Sequence, residues 1–118
     1  MKVYLAGPMR GIPHFNFPTF YRAAKDLRAQ GHEVFNPAER DEREHGKKVA
    51  ASRTGDLAEA EARGFCLREA LAEDMEWICL HAEAIALLPG RERSKGANAE
   101  KATAEALSLQ VIYLEQNT

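Results

Sequence analysis

The chain has 118 residues, of which 45% are hydrophobic and 29% charged, with a formal net charge of −2. This length predicts one domain spanning residues 1–118, and this composition is ordinary for a globular protein. The balanced charge argues against binding of a nucleic-acid polymer or an anionic membrane, because both select a clustered positive surface. The longest apolar run, residues 84–89, is too short to span a bilayer.

The first half of the chain alternates short apolar runs with helical patterns. Residues 2–6 predict a buried strand that ends at Gly7-Pro8, and residues 16–30 predict an amphipathic helix. Residues 33–35 predict a second strand. The charged stretch from Glu39 to Arg53 has poor periodicity and is interpreted as a mobile loop or a solvated helix.

The second half repeats the alternation. Asp56 can cap a long helix predicted to run to about His81, followed by a strand over residues 84–88. A polar turn over residues 91–96 leads to a helix over residues 97–107 and a last strand over residues 110–114. The fold class is therefore α/β, a Rossmann-like or flavodoxin-like three-layer sandwich with a mostly parallel sheet of about four strands.

Two glycine- and arginine-containing turns follow predicted strands, Gly7 to Gly11 and Arg91 to Gly96. Ligands of such sheets bind outside the carboxyl ends of the strands, and amides at a helix N-terminus favour an anion. The turns therefore suggest a phosphate site, although glycine turns also occur without any ligand.

Several residues have simpler structural interpretations. Cys66 and Cys79 are expected to be plain thiols, and the four histidines lack metal-ligand spacing, so neither a metal nor a cofactor is expected. Phe17 and Phe20 are interpreted as core and Asn16 as a helix cap. The chain begins directly with strand-like residues, which leaves no room for a signal peptide and predicts a cytoplasmic protein.

Three stretches carry a resemblance to a known family. They are Tyr4-Leu5-Ala6-Gly7-Pro8-Met9-Arg10-Gly11, Glu73-Asp74-Met75-Glu76-Trp77-Ile78 and Ser94-Lys95-Gly96-Ala97-Asn98-Ala99-Glu100. Their order and spacing resemble the nucleoside 2-deoxyribosyltransferase superfamily, in particular its small DUF4406 members of unassigned function. They also resemble the related 2'-deoxynucleoside 5'-phosphate N-hydrolases.

The resemblance implies roles for individual residues. Glu100 matches the catalytic nucleophile, Asp74 the acid that serves the leaving base, and Tyr4 the tyrosine that orients the nucleophile. A phosphate- or substrate-binding role is implied for the remaining positions, Gly7, Arg10, Gly11, Ser94 and Gly96. Without the resemblance, Asp74 and Glu100 would be interpreted as surface acids, Tyr4 as core and Ser94 as a helix cap.

The resulting hypothesis is hydrolysis of the N-glycosidic bond of a nucleoside 5'-monophosphate, with a small-molecule nucleotide or nucleoside as the partner. Deoxyribosyl transfer between bases and a non-catalytic nucleotide-binding module remain as alternatives. Arg91, where family members often have tryptophan, and Pro8, where some hydrolases have serine, keep the binding module open. The resemblance further implies a homodimer or larger assembly, with the predicted helix over residues 56–81 as the contact element.

Overall fold

The computed structural model describes residues 1–46 and 51–115. These form four strands, β1 (Lys2–Ala6), β2 (Glu33–Phe35), β3 (Ala84–Leu87) and β4 (Gln110–Tyr113). The helices are α1 (Phe17–Ala29), α2 (Pro37–His45), α3 (Leu57–Ala62), α4 (Leu67–Leu80) and α5 (Lys95–Ala106). Short 3₁₀ helices cover Pro13–Asn16 and Arg91–Arg93. Within the described part of the chain, no helix is long and apolar enough to cross a membrane.

The four strands form one parallel sheet in the order β2-β1-β3-β4. Val3 of β1 lies opposite Val34 on one side and Ala84 on the other, and Ile85 of β3 lies opposite Val111. The predicted α/β class with a Rossmann-like or flavodoxin-like sandwich is confirmed. Because the chain leaves β1 toward β2 on one side and β3 lies on the other, the strand order reverses between β1 and β3.

The period-two alternation of the strands separates two apolar layers. On one face, Val3, Leu5, Ala84 and Ala86 pack with buried residues of α1, which include Phe17, Phe20, Ala24 and Leu27. On the other face, Tyr4, Ala6, Ile85 and Leu87 pack with Ile78 of α4 and with Ala97 and Ala104 of α5. The predicted core roles of Phe17 and Phe20 are thereby confirmed.

The prediction of a single long helix over residues 56–81 is wrong. Asp56 does cap a helix, because its carboxylate accepts a 3.0 Å hydrogen bond from the Ala58 amide, but that helix ends at Ala62. Gly64 follows with a φ of +100°, a left-handed conformation that glycine adopts without a steric penalty. A separate helix, α4, begins at Leu67. The hydrophobic pattern of the sequence therefore continues across a break between two helices.

The charged stretch after β2 is a helix over its first part, and residues 47–50 lie outside the described residues. This helix, α2, starts earlier than expected because the Asn36 side chain accepts a 3.0 Å hydrogen bond from the Ala38 amide and Pro37 fixes the first turn. The interpretation of a wholly solvated helix is wrong, because Arg40 and Asp41 are buried.

Candidate functional site

A cavity of about 1170 Å³ opens at the carboxyl ends of β1 and β3, where the strand order reverses. Both glycine turns contribute to its wall. All eight residues named as candidates from the sequence line it: Tyr4, Gly7, Arg10, Gly11, Asp74, Ser94, Gly96 and Glu100. The topology therefore brings segments that lie up to 96 residues apart in sequence to a single cavity.

Tyr4 and Glu100 form the buried centre of this site. Tyr4 has no exposed surface, and its ring stacks on Phe35 with centroids 5.5 Å apart. Its hydroxyl donates a 2.7 Å hydrogen bond to Oε2 of Glu100, which is 6% exposed. Glu100 lies between Ala97 and Ala104 on the buried face of α5, so the sheet-facing side of the helix carries it to the tyrosine.

Asp74 brings a second carboxyl group to the same place. It shares the buried face of α4 with Ala70 and Ile78, at the spacing of one helical turn, and is 7% exposed. The side chains of Asp74 and Glu100 both line the cavity, and each affects the pKa of the other. The surface interpretation of Asp74 is therefore wrong, although the neighbouring Glu73 and Glu76 are exposed as that interpretation required.

Burial perturbs the protonation of all three groups. Burial, followed by the charge of Asp74, raises the pKa of Glu100 well above its ordinary value. Burial also raises the pKa of Asp74, but Arg40 opposes that rise. The pKa of the Tyr4 hydroxyl is raised by burial and then by the two carboxylates. Ionisation of one carboxyl group therefore disfavours ionisation of the other, and the contact of Arg40 with Asp74 favours Asp74 as the charged member.

Arg40 completes this cluster and is the functional candidate that sequence reasoning missed. Arg40 is 3% exposed, and its guanidinium donates 2.8 Å hydrogen bonds from Nη1 to Asp74 and from Nε to Asp41. A signal was present in the sequence: Asn36-Pro37 places a helix start directly after β2. The first turn of such a helix lies at the carboxyl edge of the sheet, where sites form.

The first glycine turn is fixed by close packing and by a neighbouring loop. A Cβ added to Gly7 would lie 2.7 Å from Cβ of Leu88, so only glycine fits beside β3 there. Gly11 has a φ of +79°, and its amide donates a 2.9 Å hydrogen bond to the Gly55 carbonyl. The exposed Arg10 side chain lies between these two glycines at the cavity rim.

Asn16 closes the 3₁₀ turn that follows, which contains three consecutive non-glycine residues with positive φ, at 59°, 51° and 62°. The Asn16 side chain donates a 3.0 Å hydrogen bond to the Pro8 carbonyl and makes no capping bond to α1. Its predicted capping role is therefore wrong: the residue occupies the N-cap position, but its left-handed backbone directs the amide to the glycine turn.

The second glycine turn is the N-terminus of α5. Ser94 accepts a 3.1 Å hydrogen bond from the Ala97 amide, so its interpretation as a helix cap is confirmed, and it also lines the cavity. A Cβ on Gly96 would meet nothing closer than 4.0 Å, so space alone does not require glycine there. Arg93 and Lys95 also line the cavity, so this turn adds basic side chains to the cavity wall, as Arg10 does from the first turn.

A family model described as a domain of unknown function (DUF4406) matches residues 1–113. The chain belongs to the DUF4406 family. Comparison with curated proteins and with solved structures finds no match. In this DUF4406 chain, the matched region includes every element that lines the cavity except the two residues after β4, Leu114 and Glu115.

The remaining sequence hypotheses concern metals and thiols. Among the described residues of this DUF4406 chain, no group of three or more histidine, cysteine or acidic side chains is arranged to hold a metal ion. Cys66 and Cys79 are free thiols. The site thus consists of a carboxyl pair with a tyrosine and an arginine at one end and a glycine-rich, basic rim at the other.

Proposed function

We propose that this DUF4406 chain cleaves the N-glycosidic bond of a nucleoside 5'-monophosphate, most simply a 2'-deoxy one. The observation that carries the proposal is the buried Tyr4–Glu100–Asp74 cluster in the wall of a cavity of about 1170 Å³, which is large enough for a nucleotide. The resemblance of this chain to the nucleoside 2-deoxyribosyltransferase superfamily and to the nucleotide N-hydrolases supports it. Cleaving a C1'–N bond requires a carboxylate at C1' and an acid for the base, and the cluster contains both groups.

In the proposed reaction, Oε1 or Oε2 of Glu100 forms a bond to C1' as the C1'–N bond breaks. The proton that Glu100 and Asp74 share moves to Asp74 and from there to the departing nitrogen of the base. The Tyr4 hydroxyl keeps its hydrogen bond to Glu100 and holds the carboxylate in line. Water then attacks C1', and the bond from C1' to Glu100 breaks. The water oxygen stays on the sugar as a hydroxyl group, and the other proton of the water returns to the carboxyl pair, which restores the starting state.

The basic rim supports recognition of the 5'-phosphate. Arg10 supplies charge, and the free amides at the start of α5, around Ser94 and Gly96, supply donors oriented by the helix dipole. Gly7 lets this turn pack closely against Leu88, and Gly11, at positive φ, completes the turn that carries Arg10. A phosphate fixed at this end would hold C1' in register with Glu100 at the other end.

Two alternative functions each have one supporting observation. The cavity volume of about 1170 Å³ exceeds the usual range for one small ligand, about 300–1000 Å³, and so leaves room for an acceptor base in a deoxyribosyl transfer. The raised pKa of Glu100, caused by burial and Asp74, would make it a poor resting nucleophile, which favours the non-catalytic nucleotide-binding module. The proposed proton transfer to Asp74 answers the second point.

The proposal also includes a cytoplasmic protein that acts as a homodimer or larger assembly. The contact helix proposed from the sequence is now α4 alone, where Leu80 is exposed. Analytical ultracentrifugation of the wild type and of Leu80→Asp tests the assembly. A dimer that the substitution dissociates supports this part of the proposal, and a wild-type monomer contradicts it.

The first experiment is chromatographic detection of free base after incubation with a panel of nucleoside and deoxynucleoside 5'-monophosphates. Glu100→Ala should abolish release. Glu105→Ala, an exposed glutamate on the same helix, is the matched control and should retain it. Release that survives in Glu100→Ala would contradict the role of Glu100. Tight nucleotide binding without release by the wild type would favour the binding module, and release dependent on added base would favour transfer.

A further inference from the structure

The buried guanidinium of Arg40 has no role in the reaction proposed above. It comes from α2, whereas the carboxyl pair comes from α4 and α5. Its Nη1 donates to Asp74 at 2.8 Å, to Glu73 at 3.2 Å and to the Ala70 carbonyl at 3.4 Å. Its Nε donates to Asp41 at 2.8 Å, and Cζ of Arg40 lies 5.8 Å from the centroid of the Phe35 ring. The guanidinium is therefore held in one position relative to Asp74.

The charges around Arg40 do not balance if every acid ionises. The buried acids are Asp41, Asp74 and Glu100, and Arg40 is the buried cation among the described residues. The other titratable groups facing the cluster are Tyr4 on β1, Glu73 on α4 and His45 on α2. A buried charge without a partner is strongly disfavoured. Because Arg40 contacts Asp74 and not Glu100, its position favours ionisation of Asp74 over ionisation of Glu100.

We propose that Arg40 is a positioning residue that keeps the negative charge of the carboxyl pair on Asp74 and the shared proton on Glu100 until substrate enters. This inference rests on the proposed function for its catalytic meaning, but the placement of the proton is a property of the free protein. When the sugar develops positive charge beside Glu100, the proton passes to Asp74, and the adjacent guanidinium makes protonated Asp74 a stronger donor to the base.

Asp41 has the opposite effect on the same pair. It is 4% exposed, shares the guanidinium with Asp74 and repels the Asp74 charge. Burial raises the pKa of Asp41 to about 6 despite its contact with Arg40. Removal of the Asp41 charge should therefore strengthen the hold of Arg40 on Asp74, whereas removal of Arg40 should abolish it. Opposite shifts from two neighbouring substitutions distinguish an electrostatic role from a loss of packing.

The test is a carbon-13 NMR titration of the side-chain carboxyl groups in the free protein, with Asp74→Asn and Glu100→Gln assigning the signals. In Arg40→Met, the Asp74–Glu100 pair should bind its second proton at a pH about one unit or more higher than in the wild type. One unit is a tenfold change in proton affinity. In Asp41→Asn it should move to lower pH. Arg40→Lys, which keeps the charge, should lie between Arg40→Met and the wild type.

Where base release is detected, the acid limb of the kcat profile should move in the same directions. Activity lost in Arg40→Met at neutral pH should then return at higher pH. Shifts of the same sign in Arg40→Met and Asp41→Asn, or no shift in either, overturn the proposal. Should Arg40→Met fail to fold, Asp41→Asn and Arg40→Lys decide it. If no substrate is cleaved, the proposed function fails while the NMR titration still decides the position of the proton.

Discussion

Glu100→Gln should make the protein more stable while abolishing its proposed activity. The carboxamide reproduces the hydrogen bonds of a protonated Glu100, because its oxygen can accept from Tyr4 and its nitrogen can donate to Asp74. Unlike the carboxyl group, the carboxamide is neutral at every pH. The substitution therefore removes the energetic cost of burying this acid and leaves the packing of α5 unchanged.

The size of the effect depends on pH. Burial raises the pKa of Glu100 well above its ordinary value of 4.5, so above that value the folded protein retains a proton that the unfolded chain releases. Wild-type stability should fall by about 1.4 kcal/mol per pH unit from this residue, from pH 4.5 up to the folded pKa. Glu100→Gln lacks this loss, so its stability advantage over the wild type should grow by about 1.4 kcal/mol per pH unit until the folded pKa of Glu100 is reached.

Urea denaturation at half-unit pH steps measures this difference, with the fluorescence of the single tryptophan, Trp77, as the signal. Trp77 packs against Phe35 with centroids 5.2 Å apart, so unfolding changes its surroundings. Asp41→Asn is the matched control, because the pKa of Asp41 is raised by burial only to about 6. The stability advantage of Asp41→Asn over the wild type should stop growing near pH 6. An advantage of Glu100→Gln that is absent, negative or independent of pH would refute the reasoning.

Three further substitutions test other parts of the site. Tyr4→Phe removes the buried donor to Glu100 and should cost about 1 kcal/mol in urea denaturation. In the base-release assay it should lower kcat with little change in KM; an altered KM alone would contradict the orienting role. Ser94→Ala removes a helix cap and should cost about 1 kcal/mol. It should also raise KM for 5'-monophosphates more than for nucleosides, and equal changes would argue against a phosphate site. Gly55→Ala places a Cβ 2.3 Å from the Ile12 carbonyl oxygen and should destabilise by about 2 kcal/mol or more, whereas Gly31→Ala, also at positive φ but with no neighbour within 4 Å, should cost about 1 kcal/mol. Similar thermal shifts for both would contradict this difference.

The sequence was sufficient to predict the sheet and the location of the cavity because both depend on local patterns. Strand periodicity and strand-ending glycine turns determine the layers, and the parallel order places the turns at one edge. Asp74 and Glu100 were identified by resemblance, since their helices carry other acids with similar spacing. Only packing separates buried Asp74 from exposed Glu73 one residue earlier.

The two failures of prediction have different physical origins. Gly64 breaks a helix whose hydrophobic period continues beyond it, because a single backbone conformation overrides a regular pattern. Arg40 and Asp41 lie in a stretch so charged that burial was not expected, and their burial depends on partners contributed by α4. Long-range charge pairing leaves no periodic signal in the sequence.

Ala97 and Ala104 lie one turn to either side of Glu100 on the sheet-facing side of α5. Small side chains at these two positions let α5 approach the strands closely. The distance between α5 and the sheet therefore determines whether the Glu100 carboxyl group contacts Tyr4. A larger side chain there would displace the whole helix and move Glu100 from Tyr4 without touching any ligand. In this chain the position of Glu100 therefore depends on the separation between α5 and the sheet as well as on the residues that line the cavity.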